Sequence, residues 1–378
     1  MLTADGCRAR RRALREHFQE HDLLLVSQPQ HIFYLSGFLT RPTELAGQGL
    51  NFLLIDGDGE CRLLADNLSQ AATQHAHVDH AHIWTWYDSL RPAEARLAAA
   101  AEALSRLLYN HYAKLERVAV ERAHLPVAAR EMLAVAQADD LGPALRRQRR
   151  RKYEDEVACI RRAIAAAEAG HRAARDNIRP GITEMDIYAE VQAAITRAAG
   201  EPIVMLGDFA AGERSGQGGG PPTGNVLQPG DLMIFDLFPR IGGYRADITN
   251  TLWVGESPDG PTQEQQDHVA VLQAAMQAGE AMLRPGVTAA EVYAAVREPI
   301  VAAGLGDAFS HHAGHGLGLG HPEGPFLVPE SQEILQAGDV VTLEPGAYRR
   351  GWGGARIEHD YLITETGYRR LSNHQIGL

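Results

Sequence analysis

The sequence predicts two α/β domains, the second of which is built from two copies of one α/β unit. Three observations lead to this fold class. The chain has 378 residues, which is too long for one ordinary hydrophobic core. Short apolar runs alternate with helical patterns in the first part, and this alternation stops at an arginine-rich segment near residue 150. The remainder repeats itself in the order helix, strand, Gly-Gly turn, strand.

The composition is that of a globular enzyme. Hydrophobic residues make up 45% of the chain, and 48 acids against 36 bases give a net charge of −12, which argues against a nucleic-acid partner. No apolar run is long enough for a membrane span or a signal peptide core. Cys7, Cys61 and Cys159 are scattered and form no CxxC pair. We therefore expect a cytoplasmic protein without a membrane partner and without a thiolate metal site.

The first domain is predicted over residues 1–148, where the apolar runs lie at 22–27, 51–56 and 118–121 and the clearest helical pattern at 95–112.

Two polar segments of this part allow more than one interpretation. "HAHVDHAH" at 75–82 is expected to be an exposed polar segment, with zinc binding as the alternative. "RRQRRRK" at 146–152 is expected to be a solvated helical linker.

The second domain is predicted over residues 152–378, and its repeat is visible without gaps. "RPGITEMDIYAEVQAAITRAA" (179–199) aligns with "RPGVTAAEVYAAVREPIVAAG" (284–304). Each copy has a threonine followed three residues later by an acid, which predicts a capped helix start. Further along, "LQPGDLMIFD" aligns with "LQAGDVVTLE", and "GGYRAD" aligns with "GGARIE". Such copies normally pack about a pseudo-two-fold axis.

The alignment pairs acids with acids. Asp236 falls on Glu344 and Asp247 falls on Glu358, all in or beside apolar strands where an ionised carboxylate is costly without opposite charge. If the first hairpin turns between residues 241 and 242, Asp236 and Asp247 stand directly opposite each other, which is destabilising for like charges. The sequence therefore predicts that these acids hold divalent cations.

The stretch "HHAGHGLGLGHPEGPF" at 311–326 contains four histidines. By itself it would be interpreted as a polar surface loop. Beside four acids it can supply a nitrogen ligand, and His315 is the best candidate because the flanking glycines allow close approach of the backbone. Oxygen ligands with one nitrogen suit Mn, Co, Fe or Zn, and two such ions can activate a shared water.

Four segments, "IFDLFPRIGGYRADIT", "HHAGHGLGLGHPEG", "TLEPGAY" and "GGARIEHD", resemble in this order the motifs of the pita-bread metallopeptidases. That family contains the methionine aminopeptidases, aminopeptidase P and the Xaa-Pro dipeptidases (prolidases). The resemblance covers about residues 150–378 and implies a pita-bread fold for the second domain. The first 145 residues resemble the smaller creatinase-type α/β domain that precedes the catalytic domain in aminopeptidase P and prolidase.

The resemblance implies a role for each ligand. Asp236 would chelate one ion, Asp247 and Glu358 would bridge both, and His315 and Glu344 would complete the second. Glu344 would also relay protons.

Two further residues, His311 and Arg356, receive roles from the same resemblance. His311 matches the histidine that contacts substrate, although a one-residue error would exchange it with His312. Arg356, two residues before Glu358, would orient the acidic ligands.

The chain departs from the family pattern at two places. The second catalytic histidine usually follows the ligand histidine by seven residues, where this chain has Pro322, and His321 would take its role from a shortened turn. Relatives also carry a substrate-side histidine where this chain has Gly219, within the segment 215–224 that could be a lid or a spacer. This second departure leaves the substrate class open.

The resemblance implies a dinuclear peptidase that hydrolyses Xaa-Pro bonds through a metal-bridging water, as a dipeptidase or an aminopeptidase. Mn is the expected metal, with Co, Zn or Fe as alternatives, and the expected substrates are proline-containing dipeptides or short peptides. A homodimer is also implied. The alternative is a non-peptidase hydrolase or lyase of a small metabolite on the same fold. The complete five-ligand set argues against this alternative and against an inactive binding module.

Overall fold

The computed structural model describes all residues except 41–49, 94, 113, 134–137, 204 and 256–259. The described chain divides into two compact units, Met1–Arg149 and Arg150–Leu378, whose boundary falls between the predicted domain limits at residues 148 and 152. Among the described residues, no helix combines the length and the apolar character that crossing a bilayer requires.

The first unit contains a six-stranded mixed sheet with the strand order β4-β3-β2-β1-β5-β6. Its strands are β1 (Leu23–Val26), β2 (Phe52–Asp56), β3 (Cys61–Asp66), β4 (His80–Trp84), β5 (Val118–Val120) and β6 (Ala138–Asp140). Its helices are α1 (Ala4–His17), α2 (Pro29–Ser36), α3 (Gln70–Thr73), α4 (Arg96–His111), α5 (Val127–Glu131) and α6 (Gly142–Arg150), the last ending at the boundary. The continuous apolar run of β1 is explained by its place inside the sheet, where all four residues are fully buried.

The histidine-rich segment at 75–82 ends in the edge strand β4 and is exposed or half-buried at every residue, which agrees with the prediction of an exposed polar segment. His80 is exposed and His82 is half-buried, while His77 Nε2 lies 3.0 Å from the Leu2 carbonyl oxygen. Among the described residues, no cluster of three potential metal ligands includes these histidines.

The basic run at 146–152 is helical up to Arg150 and exposed at Arg146, Arg147 and Arg151, as a solvated helical linker would be, but the prediction is wrong for Arg149 and Lys152, which are buried. The side chain of Lys152 is 1% exposed and donates to Glu323 Oε1 over 2.8 Å. Arg150 Nη2 lies 2.7 Å from Asp339 Oδ2. Both partners lie more than 170 residues further along the chain, so a local interpretation of charge could not identify them.

The second unit contains the repeated α/β arrangement. Its helices are α7 (Glu154–Asn177), α8 (Glu184–Ala199), α9 (Gln263–Glu280) and α10 (Ala289–Ala302). Its strands are β7 (Gly207–Ala211), β8 (Leu232–Leu237), β9 (Arg240–Ile241), β10 (Tyr244–Arg245), β11 (Ile248–Trp253), β12 (Gly314–Gly316), β13 (Glu323–Leu327), β14 (Val340–Leu343), β15 (Gly346–Arg349), β16 (Gly353–Arg356), β17 (His359–Ile363) and β18 (Tyr368–Arg370).

The two copies are built alike. One copy packs the pair α7–α8 beside the sheet β11-β8-β7, and the other packs α9–α10 beside the sheet β13-β12-β14-β17-β18. The predicted helix caps are present, because Thr183 accepts from the backbone of Asp186 and Thr288 accepts from the backbone of Glu291. The same two threonines form isolated bridges in their copies. The predicted repeat and fold class are confirmed.

The register of the first hairpin differs from the prediction. Ile241 pairs with Tyr244, so the turn consists of Gly242 and Gly243 rather than centring between residues 241 and 242. Both glycines have positive φ, 55° and 88°, as a two-residue type I′ turn requires. Asp236 consequently faces Thr249. Because moving a turn centre by one residue shifts the pairing by two, Asp247 keeps its face of the hairpin and becomes a diagonal neighbour of Asp236.

The segment 215–224, expected to be a lid or a spacer, is held in place by hydrogen bonds. Glu184, whose side chain is fully buried, accepts from Ala211 N (2.9 Å), Thr223 N (3.0 Å) and Asn225 Nδ2 (3.1 Å), and it also pairs with Arg214. One carboxylate therefore fixes both ends of this segment.

We predict that Glu184→Gln destabilises the protein by about 3 kcal/mol, because the amide replaces an acceptor and leaves the Arg214 charge without a counter-charge. Urea unfolding monitored by circular dichroism measures this. Glu190→Gln, an exposed position on the same helix, is the control. Equal midpoints for both variants and the wild type would contradict the anchoring role.

Candidate metal centre

The predicted ligands lie where the two copies meet. Asp236 is in β8, Asp247 precedes β11, Glu344 follows β14, and Glu358 lies between β16 and β17. All four are buried, as is His315 in β12.

Thr249 joins the two copies. Its carbonyl oxygen accepts from Glu358 N over 2.9 Å, and its Oγ1 donates to Glu358 Oε2 over 2.6 Å. These bonds hold Glu358, an acid of the second copy, against β11, the strand that directly follows Asp247 of the first copy.

The ligand atoms form two overlapping clusters. Oxygens of Asp236, Asp247 and Glu358 lie within 4.8 Å of one another, and so do ligand atoms of Asp247, His315 and His321. Asp247 belongs to both clusters. Glu344 lies next to the second cluster, with Oε1 3.6 Å from His315 Nε2.

The first cluster fits a divalent cation. Asp236 Oδ1 and Glu358 Oε1 are buried and have no hydrogen-bond partner. A buried acceptor left without a partner costs about 1–3 kcal/mol, and a charged one costs more. Three carboxylates with oxygens within 4.8 Å of one another, two of them carrying an unpaired oxygen, form the donor set that hard divalent ions prefer.

Burial and mutual repulsion set the charge state of the acids. Burial raises the pKa of Asp236, which Arg356 only partly opposes, and burial together with the nearby Asp247 raises the pKa of Glu358. At Asp247 burial acts in the same direction, but His321 and His315 outweigh it and hold its pKa below the usual range.

His315 is the basic partner of the second cluster. Burial would lower its pKa, but the hydrogen bond to Asp247 and the charge of Glu344 outweigh burial and raise the pKa to about 9. A proton on His315 therefore supplies the positive charge that a metal ion would bring. Metal binding at His315 must displace that proton.

The shortened turn still delivers His321 to the cluster. His321 Nε2 lies 2.7 Å from Asp247 Oδ2, and its ring stacks on Phe238 with centroids 4.6 Å apart. Glu323 fixes the turn, because it accepts from Lys152 on one oxygen and from Gly320 N on the other, over 3.1 Å.

The two histidines before His315 have different contacts. His311, expected to contact substrate, has Nε2 2.8 Å from Tyr348 Oη. His312, the alternative to His311, has Nε2 3.0 Å from Glu344 Oε1 and is one-third exposed. Both histidines form a cluster with Glu344.

Arg356 contacts the acids as expected, and it also contacts groups that sequence reasoning missed. Its Nη2 donates to Asp236 Oδ2 and to Asp208 Oδ2, both over 2.7 Å. Its Nη1 donates to Tyr348 Oη over 2.8 Å and to the Gly218 carbonyl over 2.5 Å. Tyr348 could have been identified from the sequence, because it ends the motif "TLEPGAY". No local pattern marks Asp208.

The fold and this site define a class of protein, a metalloenzyme whose divalent-metal centre lies between the two halves of a repeated α/β unit. Comparison with known families agrees with this class. The profile of metallopeptidase family M24 matches residues 158–365, and that of the Creatinase/Prolidase N-terminal domain matches residues 10–150. The chain belongs to metallopeptidase family M24.

Individual relatives extend over nearly the whole chain. The Xaa-Pro dipeptidase of Lactobacillus helveticus is 28% identical and covers 93% of each chain. The prolidase of Pyrococcus furiosus is 26% identical, with a TM-score of 0.78 over 96% of this chain and 99% of that one. The X-Pro aminopeptidase of Thermotoga maritima has a TM-score of 0.82 at 24% identity, over 97% and 98% of the two chains, and so shares the fold. The predicted pita-bread and creatinase-like domains are confirmed.

Proposed function

We propose that this metallopeptidase hydrolyses the peptide bond before proline in dipeptides or short peptides, as an Xaa-Pro dipeptidase or an Xaa-Pro aminopeptidase. The observation that carries the proposal is the convergence of all five expected ligands in a chain that also has a Creatinase/Prolidase N-terminal domain. Two relatives named for this specificity, the Xaa-Pro dipeptidase and the prolidase, support it.

The proposed centre holds two divalent ions, with Mn as the expected metal. Asp236, Asp247 and Glu358 would hold one ion, and Asp247, Glu358, His315 and Glu344 the other. The assignment of Asp247 to both is supported by its membership of both clusters. When bound, two such ions supply an activated water and stabilise the charge that develops on the attacked oxygen.

The side chains around the centre have distinct proposed tasks. Glu344 is the ionised base that would take up and pass on a proton, and its Oε1 lies 3.2 Å from Thr342 Oγ1 and 3.0 Å from His312 Nε2. His321, at the edge of the cluster, donates a hydrogen bond to the substrate carbonyl. His311 contacts the substrate from beside Tyr348, and Arg356 keeps Asp236 in place.

Three further proposals concern the whole protein. The domain limits are 1–148 and 152–378, close to the two compact units. A cytoplasmic location is supported by three buried cysteines that form no disulfide with one another. A homodimer is proposed from the family resemblance, and light scattering of the purified protein would test it.

We predict that Mn-supplemented enzyme cleaves Xaa-Pro dipeptides with a kcat/KM at least about tenfold above that for the matching Xaa-Ala dipeptides, because a pocket shaped for the proline ring loses apolar contact with a smaller residue. Chromatography of the released amino acids measures this. Xaa-Pro-Yaa tripeptides separate dipeptidase from aminopeptidase activity, and a Glu344→Gln preparation reveals contaminating peptidases.

Equal rates on the proline and alanine series would contradict the proposed specificity. Metal-loaded protein that cleaves no peptide would favour the alternative, a hydrolase or lyase of a small metabolite.

A further inference from the structure

Two acids face each other across neighbouring strands at the wall of the metal centre. The antiparallel register of β7 and β8 pairs Asp208 directly with Asp236. Like charges in this position repel each other, so they need a counter-charge between them. Arg356 provides it, because one nitrogen, Nη2, lies 2.7 Å from an oxygen of each acid.

The guanidinium of Arg356 is held in a position where it contacts both acids. Its other terminal nitrogen, Nη1, is committed to Tyr348 Oη and to the Gly218 carbonyl, and its side chain is only 6% exposed. Nη2 is therefore divided between Asp208 and Asp236. The remaining oxygen of Asp236, Oδ1, has no partner and is free for a metal ion.

Asp208 occupies the space that a side chain at position 219 would fill, and Gly219 has no side chain. Its φ of +141° is one that side-chain-bearing residues rarely adopt. A Cβ built at this position would lie 2.1 Å from Asp208 Oδ2 and 2.7 Å from Asp208 Cγ. No side chain fits at 219 while Asp208 keeps this position. The position of Asp208 therefore depends on the glycine at 219.

We propose that Asp208 is a positioning residue for the metal centre and that Gly219 is its required partner. Because Arg356 Nη2 is shared with Asp208, the guanidinium binds Asp236 less strongly. It therefore competes less strongly with a metal ion for that carboxylate. Without the Asp208 charge, Arg356 pairs with Asp236 alone and lowers its affinity for the ion. The inference rests on the proposed two-ion centre, and it concerns the ion at Asp236 only.

A purely structural ion pair makes a different prediction. The loss of Asp208 would then change the stability of the fold and leave metal affinity unchanged. Asp208→Asn suits the test because the amide oxygen can still accept from Arg356, so the shape of the pair survives while the charge is lost.

Calorimetric titration of metal-free protein with Mn provides a readout that does not depend on activity. For Asp208→Asn we expect one of the two binding steps to weaken by roughly tenfold or more, as the loss of an outer partner typically does. The other step should stay within about twofold of the wild type. Glu264→Gln removes a comparable but exposed partner of Arg349 and should change neither step.

A double-mutant cycle tests the role of Gly219. Gly219→Ala should weaken the same step in the wild-type background, because the methyl group displaces Asp208. In an Asp208→Ala background its further effect on this step should be clearly smaller, because the clash with the carboxylate is gone and only the backbone strain at φ +141° and a 3.2 Å contact with the Cβ of residue 208 remain. Unchanged metal affinity in Asp208→Asn, or additive losses in the cycle, would overturn the inference. Wild-type protein that binds fewer than two ions would instead refute the two-ion centre itself.

Discussion

Asp247→Asn should lower kcat/KM by more than about a hundredfold, exceeding the loss that follows removal of an outer partner of a metal ligand. Asp247 is the residue common to both ligand clusters, and one of its oxygens lies 2.7 Å from His321 Nε2 and 3.2 Å from His315 Nε2. An amide removes the negative charge that two dications would share. The same loss is expected for Glu358→Gln, because its Oε1 is buried without a partner.

Activity and metal content should be measured on the same preparations. Steady-state hydrolysis of an Xaa-Pro dipeptide gives the rate, and elemental analysis after gel filtration gives the number of ions bound. Asp267→Asn, an exposed position on α9, is the control and should match the wild type. A variant that kept about a tenth of the wild-type rate with two ions bound would contradict the bridging assignment.

Removal of the metal should abolish activity and lower the melting temperature, and the size of the second effect should depend on pH. Ions that bind only the folded state stabilise it by RT ln(1 + [M]/Kd), about 2.7 kcal/mol at a hundredfold excess over Kd. Without them, Asp236, Glu358 and Asp360 are buried carboxyls with raised pKa values, for which burial is the main cause.

The direction of the pH effect follows from His315. Its pKa in the metal-free fold is raised to about 9, so at neutral pH it holds a proton that the metal must displace. Apparent metal affinity should therefore rise between pH 7 and about 9, by up to about tenfold per pH unit for one proton. Towards pH 5, protonation of the carboxylates adds to the competition, and the metal-induced rise in melting temperature should shrink.

The metal-free fold should respond to pH through the same groups. The contribution of His315 is fully present below its ordinary pKa of 6.5 and is lost as pH rises through about 9. Glu344 has a pKa lowered to about 2, because contacts with His312 outweigh the opposing effect of burial. Its contribution is present above pH 4.5 and is lost as pH falls towards 2.

Melting curves with and without Mn, recorded from pH 5 to pH 9, measure this dependence. His315→Ala is the informative comparison, because a protein without this ligand has no such proton to release and should show a weaker pH dependence of metal affinity. A metal-induced shift that is equal at pH 8 and pH 5 would mean that the ions are not held by these carboxylates and His315.

The sequence alone determined those features that local patterns encode. The helix starts at Thr183 and Thr288 were readable because a capping box needs only four consecutive residues. Asp236 and Glu344 could be identified as candidate metal ligands because an ionised carboxylate is costly in or beside an apolar strand, and the repeat showed such an acid in both copies. The family resemblance then supplied the expected roles of the ligands.

Only the tertiary structure decided the contacts made across long stretches of chain. The pairing of Asp236 with Thr249 rather than Asp247 depended on whether the turn is formed by Gly242 and Gly243 or by Ile241 and Gly242, a difference of one residue in its centre. The buried state of Lys152 depended on Glu323, 171 residues away. Asp208 lies beside the metal centre because β7 pairs with β8 and places it opposite Asp236. Such partners are chosen by strand pairing and burial, which act over the whole fold and leave no trace in neighbouring residues.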